Sequence, residues 1–582
     1  MSSRDGAGMQ QRQADFVSGS ALAVAGGGLR ASSVATGLTS GLMVVAHDMR
    51  PGTESTPTLQ GTGIYDNFAS IASVSGGSWF AAELIYSTRF VQLVEEMAGS
   101  PAEAAQLHRQ GWTMPWLSIA RKNSPYVKLF ARLAKQRGFV GVSQDIRLAG
   151  YFWKTGMTWT NWTLAMLQAT AGIDMSTSLG SEVTPWAEGK AWLVCHVLTT
   201  PSVQDMRVVH IAEQRKPTRS ITQFVANFPG QSIFTPAVYS YILGSGDAPA
   251  PIPYVAASAL PPTSRLNYQG AVQTSSRACC GGAQERFTSE AHAGRFESIE
   301  RGAHALPVVS CAAASSAAAG DVVLLAKPSL ALDAVGADFA VWQGAGSASD
   351  CFERAARRVR DANAPDGVTQ TALDGLADDR VQAVIDAGFS DPTGIAYAVR
   401  AGAREVVVYL NNEASNVPID LTFLFVGGSE YAYAGGVHAK ASPVFGQSAN
   451  DMLAAYASFP QLKLCEGSTF VTAISVGTLQ VSTVDSGLWG IPGGVEVTLH
   501  IVGVASTVTI GYVEDVYNYD ILTQEVIQTV SSRSNSELVR GTVMPWFLGS
   551  ADCGARPRSD QSTDEPSTTP AAESGTDDGS DV

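Results

Sequence analysis

Residues 20–31 read Ser20-Ala21-Leu22-Ala23-Val24-Ala25-Gly26-Gly27-Gly28-Leu29-Arg30-Ala31. A short apolar run fits a buried strand, and three successive glycines end it. Residues 29–45 then show helical spacing with few breakers. The same strand, glycine turn and helix recur further on. Residues 68–74 form a second apolar run, ending at Ser75-Gly76-Gly77, and a helix continues through 79–86. A third run, 381–385, ends at Asp386-Ala387-Gly388. A fourth, 405–410 (Glu-Val-Val-Val-Tyr-Leu), has the unbroken apolar character of a strand buried on both faces. The pattern is that of an α/β fold, in which sites lie at the carboxyl ends of strands. All three glycine-bearing turns fall there. Beyond residue 412, alternation in 469–484 and 495–510 predicts further strands, of antiparallel type.

Composition bounds the rest. The chain has 582 residues, 45% hydrophobic and 8% aromatic, which is globular rather than disordered. Its formal net charge is −15, arguing against a nucleic-acid binder, which needs a basic face. Seven cysteines without a CxxC pair point to neither a disulfide framework nor a zinc site, and a reduced, intracellular setting is expected. The N-terminus lacks an apolar signal-peptide core. The apolar stretches 21–46 and 305–326 carry Arg30 and Asp321 and read poorly as membrane spans, so the protein is expected to be soluble or peripheral. Residues 1–17 read as a disordered N-terminus, 18–555 as one α/β domain with about 92–300 inserted, and 556–582 as an acidic disordered tail. Residues 275–300 read as a mobile loop. Within the insert, residues 107–157 hold nine Lys/Arg against one acid, Asp145, with Trp and Phe interleaved. That pattern suits either an anionic lipid interface, with Lys122, Lys128 and Lys135 in contact, or a plain surface helix over ordinary core aromatics.

Three segments carry chemistry. Ser73-Val74-Ser75-Gly76-Gly77 has the form of a nucleophile elbow, in which a sharp strand-to-helix turn lifts one hydroxyl above the sheet. Ser73 stands where a glycine is usual. Gly26-Gly27-Gly28 can present bare backbone N–H groups to an oxyanion, and Arg30 could grip a phosphate. The same stretch, with Asp48 at about the right distance, also fits a dinucleotide fingerprint. Asp386, at a strand end, could serve as base if apolar surroundings raise its pKa above the usual value of about 3.9. Of the eight histidines, none lies in a triad-like turn, His304 being the nearest suspect. A Ser–Asp dyad needs none of them.

The order of these segments resembles the patatin-like and cytosolic phospholipase A2 catalytic-domain family. The resemblance rests on Gly26-Gly27-Gly28-Leu29-Arg30-Ala31, Ser75-Gly76-Gly77-Ser78-Trp79 and Ile385-Asp386-Ala387-Gly388-Phe389, with Ala314-Ser315-Ser316-Ala317-Ala318 also similar to a patatin segment. It covers roughly residues 18–90 and 300–412. It implies a layered sheet with helices on both faces and a large inserted cap or lid. It implies Ser75 as nucleophile, Asp386 as its base, Gly27, Gly28 and Gly76 as the oxyanion hole, and Arg30 as a phosphate contact. The implied activity is a phospholipase A2 or lysophospholipase-type serine hydrolase, cytoplasmic and peripherally membrane-bound, without cofactor or metal; a calcium-binding C2 module, present in some members, is not expected ahead of a glycine loop that begins so near the N-terminus. Two alternatives stay open: a catalytically inactive lipid-binding scaffold, and a dinucleotide-binding oxidoreductase.

Overall fold

The computed structural model describes residues 20–50, 55–117, 159–200, 233–244, 307–317, 383–428, 432–433, 437–438, 443–486, 489, 491–508 and 517–549. Residues 1–17, the expected loop at 275–300, the acidic tail, His304, Cys279, Cys280 and the basic stretch bearing Lys122, Lys128 and Lys135 lie outside the described residues.

Eight strands form the central sheet: β1 (Ser20–Val24), β2 (Phe68–Ser73), β3 (Ala191–Thr200), β4 (Ile233–Ile242), β5 (Ala383–Asp386), β6 (Glu405–Glu413), β7 (Val471–Ser482) and β8 (Glu496–Ser506). The helices that concern the site are α1 (Gly28–Met49), α2 (Gly76–Tyr86), α3 (Trp159–Ala171), α4 (Val308–Ser315), α5 (Ile395–Arg400) and α6 (Tyr517–Ser531). The strand order is β7-β8-β6-β1-β2-β3-β4, with β5 also paired to β3. Neighbours from β8 through β3 are parallel, whereas β7, β4 and β5 pair antiparallel. The fold is therefore mixed α/β, a mostly parallel central sheet flanked by helices.

Burial explains which strands are central. Every residue of β1 is buried, and only the two end residues of β6 are exposed, so both strands are covered on both faces. In β7, at the sheet edge, exposed and buried residues partly alternate, as expected where one face meets water. The strands expected beyond residue 412 are β7 and β8; they pair antiparallel with each other, while β8 pairs parallel with β6 on its other edge. Residues 191–200 and 233–242, within the span read as an insert, are strands of the central sheet.

Helix α1 is long and apolar enough to cross a membrane, yet 94% of its most apolar window is buried inside the protein. It packs backbone-close on α6. A Cβ added at Gly37 would lie 2.8 Å from the Val526 Cβ, and one at Gly41 would lie 2.9 Å from the Val530 Cβ. Of the aromatics in the basic stretch, Trp112 and Trp116 are described, and both are core side chains. Trp112 donates its indole N–H to Glu83, which also accepts from the Thr170 hydroxyl. Burial pushes the Glu83 carboxyl up to about 7.

Candidate active site

Register explains how three distant stretches meet. Val24 of β1 pairs with Ser73 of β2 on one side and Tyr409 of β6 on the other. The glycine turn, the serine turn and Asn411 thus emerge side by side at the carboxyl ends of parallel strands. Asp386 arrives by another route. β4 occupies one edge of β3 along its whole length, so β2 and β5 share the other edge. β2 comes from one end and stops at Ser73, level with Val194. β5 comes from the opposite end and stops at Asp386, level with His196. The two strands meet tip to tip, and their carboxyl ends face each other across a gap one residue long, opposite Cys195, in one lane of the sheet.

Across that gap the Ser75 hydroxyl donates to the Asp386 Oδ2 at 2.7 Å, while the Asp386 Oδ1 accepts the Gly388 N–H at 2.7 Å. Asp386 is buried, whereas Ser75 is half-exposed. Loss of hydration raises the Asp386 carboxyl to about 6, with the Gly388 and Ser75 hydrogen bonds pulling the other way. A carboxylate at that value is ionised near neutral pH and still basic enough to share a hydroxyl proton. Ser75 itself has φ 52, a left-handed conformation that only a strained turn imposes on a serine.

The elbow and the glycine turn are in direct backbone contact. A Cβ at Gly76 would sit 2.0 Å from the Gly28 carbonyl oxygen, and one at Gly77 would sit 2.5 Å from that of Val24. No side chain fits either position. Gly27 has φ 130 and Gly28 φ 58, so the turn enters α1 through conformations suited to glycine. The first N–H groups of α1 and of α2 lack intrahelical acceptors, and both helix starts lie beside the Ser75 hydroxyl's turn.

Ser73 occupies a glycine position for a visible reason. Its hydroxyl accepts the Trp192 indole N–H at 3.0 Å and lies 2.9 Å from the Ser78 hydroxyl. Ser78 in turn lies 2.8 Å from the Ser315 hydroxyl, and Ser315 Oγ accepts the Ser75 N–H at 3.1 Å. One continuous line of hydroxyls thus runs from β3 beneath the elbow to the nucleophile's own backbone. The neighbouring Ser316 hydroxyl accepts the Trp79 indole N–H at 2.9 Å. The Ala-Ser-Ser stretch was visible in the sequence, but its partners lie some 240 residues away and no local signal names them.

Arg30 is brought to the glycine turn but buried there. Its Nε donates to the Asn411 Oδ1 at 2.9 Å and its Nη1 to the Val508 carbonyl at 3.3 Å. Asp48 is not brought to the turn. It lies near the far end of α1, roughly 30 Å along the helix from Gly28, exposed and 3.7 Å from the Arg540 guanidinium. A ribose-binding acid would need to stand at the adjacent strand end. His196, level with Asp386, was missed in the sequence. It is fully buried, which lowers its pKa to about 3 and keeps the ring neutral. Among the described residues no cluster of His, Cys, Asp or Glu could hold a metal. No family model, no curated protein and no solved structure matches the chain.

Proposed function

We propose that this protein is a serine acyl hydrolase that cleaves fatty acyl esters of glycerophospholipids through an acyl-enzyme on Ser75, in the manner of the patatin-like and cytosolic phospholipase A2 group. The observation that carries the proposal is the 2.7 Å hydrogen bond from a strained, half-exposed serine to a buried carboxylate. Ser75 Oγ attacks the ester carbonyl as its proton passes to Asp386 Oδ2. The new oxyanion is held by N–H groups of the turn, for which Gly27 and Gly28 are the candidates with Gly76 beside them; one such donor is typically worth about 3 kcal/mol in the transition state. When the tetrahedral species collapses, the acyl C–O bond breaks and Asp386 returns its proton to the departing lysophospholipid oxygen. Water then attacks the acyl-serine carbonyl and gives a proton to Asp386. As the fatty acid leaves, that proton goes back to Ser75 Oγ, and the site is restored.

The lipid part of the proposal rests on the motif order and on the basic composition of residues 107–157, whose part beyond the core residues Trp112 and Trp116 would form a cap at the membrane surface together with other parts of 92–300. The experiment is a panel of phospholipids and lysophospholipids with products identified by mass spectrometry. Release of free fatty acid and a lysophospholipid is expected. Turnover of simple esters with every phospholipid left intact would remove the lipid assignment.

A further inference from the structure

Asn411 stands where β6 runs on past the end of β1. Its side chain is buried against the glycine turn, where a Cβ added to Gly27 would lie 2.5 Å from Asn411 Oδ1. Asn411 Nδ2 donates to the Gly26 carbonyl at 2.6 Å. A trans peptide is planar, with its C=O and the following N–H pointing in opposite directions. Drawing the Gly26 carbonyl towards Asn411 therefore turns the Gly27 N–H away from it. The other side of Gly26 is fixed as well: its N–H donates to the Pro392 carbonyl at 2.8 Å, and a Cβ there would be 3.1 Å from the Ser75 Cβ. The orientation of the Asn411 amide is itself dictated by Arg30. A guanidinium only donates, so the Asn411 oxygen must face Arg30 Nε and the amide NH₂ must face Gly26. Arg30 Nη2 reaches the Asn411 carbonyl at 3.5 Å, and Nη1 bonds the Val508 carbonyl in the segment after β8. Asp420 lies close enough that the Arg30 charge counters the burial that raises its carboxyl to about 6.

We propose that Asn411, oriented by Arg30, is a positioning residue that aims the Gly26–Gly27 peptide so that its N–H meets the oxyanion formed on Ser75. This rests on the acyl-hydrolase reading and adds to it. Arg30 then acts on the chemistry of any ester, with or without a phosphate.

The test compares wild type, Asn411→Asp and Arg30→Lys on p-nitrophenyl butyrate, which has no phosphate. Asn411→Asp keeps an acceptor for Arg30 and loses the donor to Gly26. It should lower kcat about 100-fold with KM within about twofold, since a misdirected oxyanion donor acts only in the transition state. The Ki of a trifluoromethyl ketone, which forms the same oxyanion, should rise by the same factor. Binding of a non-hydrolysable ether phospholipid and the pH limb set by Asp386 should not move. Arg30→Lys should also lose turnover of the phosphate-free ester, and it carries the test if the Asp variant does not fold. The proposal is overturned if Asn411→Asp retains wild-type kcat, or if Arg30→Lys is impaired on phospholipid alone. It is also overturned if ketone and ether-lipid affinity fall together, the mark of general damage. Absence of turnover by wild type would remove the acyl-hydrolase reading itself, and this proposal with it.

Discussion

Replacing Asp386 by Asn removes the proton acceptor while keeping the shape of the side chain and an oxygen for the Gly388 N–H. Two effects of opposite sign follow. Activity falls: a positioned general base is typically worth 10²–10⁴-fold, so a loss of about 10³, roughly 4 kcal/mol, is expected in kcat/KM on a p-nitrophenyl ester. Stability rises near neutral pH. The folded protein binds the Asp386 proton more tightly than the unfolded chain, because the folded pKa is about 6 against an ordinary 3.8. The stabilising effect of that proton is full below about pH 4 and is lost as pH climbs through about 6. Two units correspond to about 3 kcal/mol, a cost the Asn variant never incurs. Denaturant unfolding of both proteins at about pH 4 and about pH 7.5 reads this directly, with the difference moving in favour of the Asn variant by up to about 3 kcal/mol. The wild-type rate should rise with pH along a limb centred near 6, as the carboxylate forms. Retained turnover in Asp386→Asn would refute the role of the carboxylate, and a pH-independent stability difference would refute its burial-raised pKa.

Other outcomes follow from the same geometry. Gly76→Ala places a methyl 2.0 Å from the Gly28 carbonyl oxygen, so the elbow and the glycine turn must part; several kcal/mol of stability and nearly all activity should be lost, read by thermal unfolding and ester hydrolysis. Ser315→Ala leaves the Ser75 N–H and the Ser78 hydroxyl without that partner, so stability should drop by about 1–3 kcal/mol, and serine labelling should slow even where the variant is fully folded. Charge reversal at Lys122, Lys128 and Lys135 should weaken binding to anionic vesicles in a sedimentation assay, by about 1 kcal/mol per lysine near the surface, while hydrolysis of a soluble ester stays unchanged.

Several parts of this architecture can be read from local sequence. β1 and β6 announce themselves because strands covered on both faces carry long apolar runs, β2 is a mostly buried run of small and apolar residues, and glycine turns mark where β1 and β2 end. The serine and aspartate turns are visible for the same reason. Their meeting is not. It depends on β3, residues 191–200, whose apolar run ends in no glycine turn, and on β5 sharing an edge of β3 with β2. Which strands share an edge is a long-range fact with no local signature. Asn411 shows the same limit: a polar pair at the end of an apolar strand hints at a site, but only the register of β6 against β1 brings it to Gly26. Ser73 shows the opposite case. It departs from the elbow pattern, and the departure makes sense only once the Trp192 indole and the Ser78 hydroxyl are seen to bracket it.

The most direct measurement is reaction with a fluorophosphonate probe, followed by peptide mapping of the adduct. A serine held by Asp386 beside backbone donors should be phosphonylated at Ser75, with no labelling in Ser75→Ala and slow labelling in Asp386→Asn. An unlabelled native protein, or an adduct on some other residue with Ser75 intact, would contradict the account.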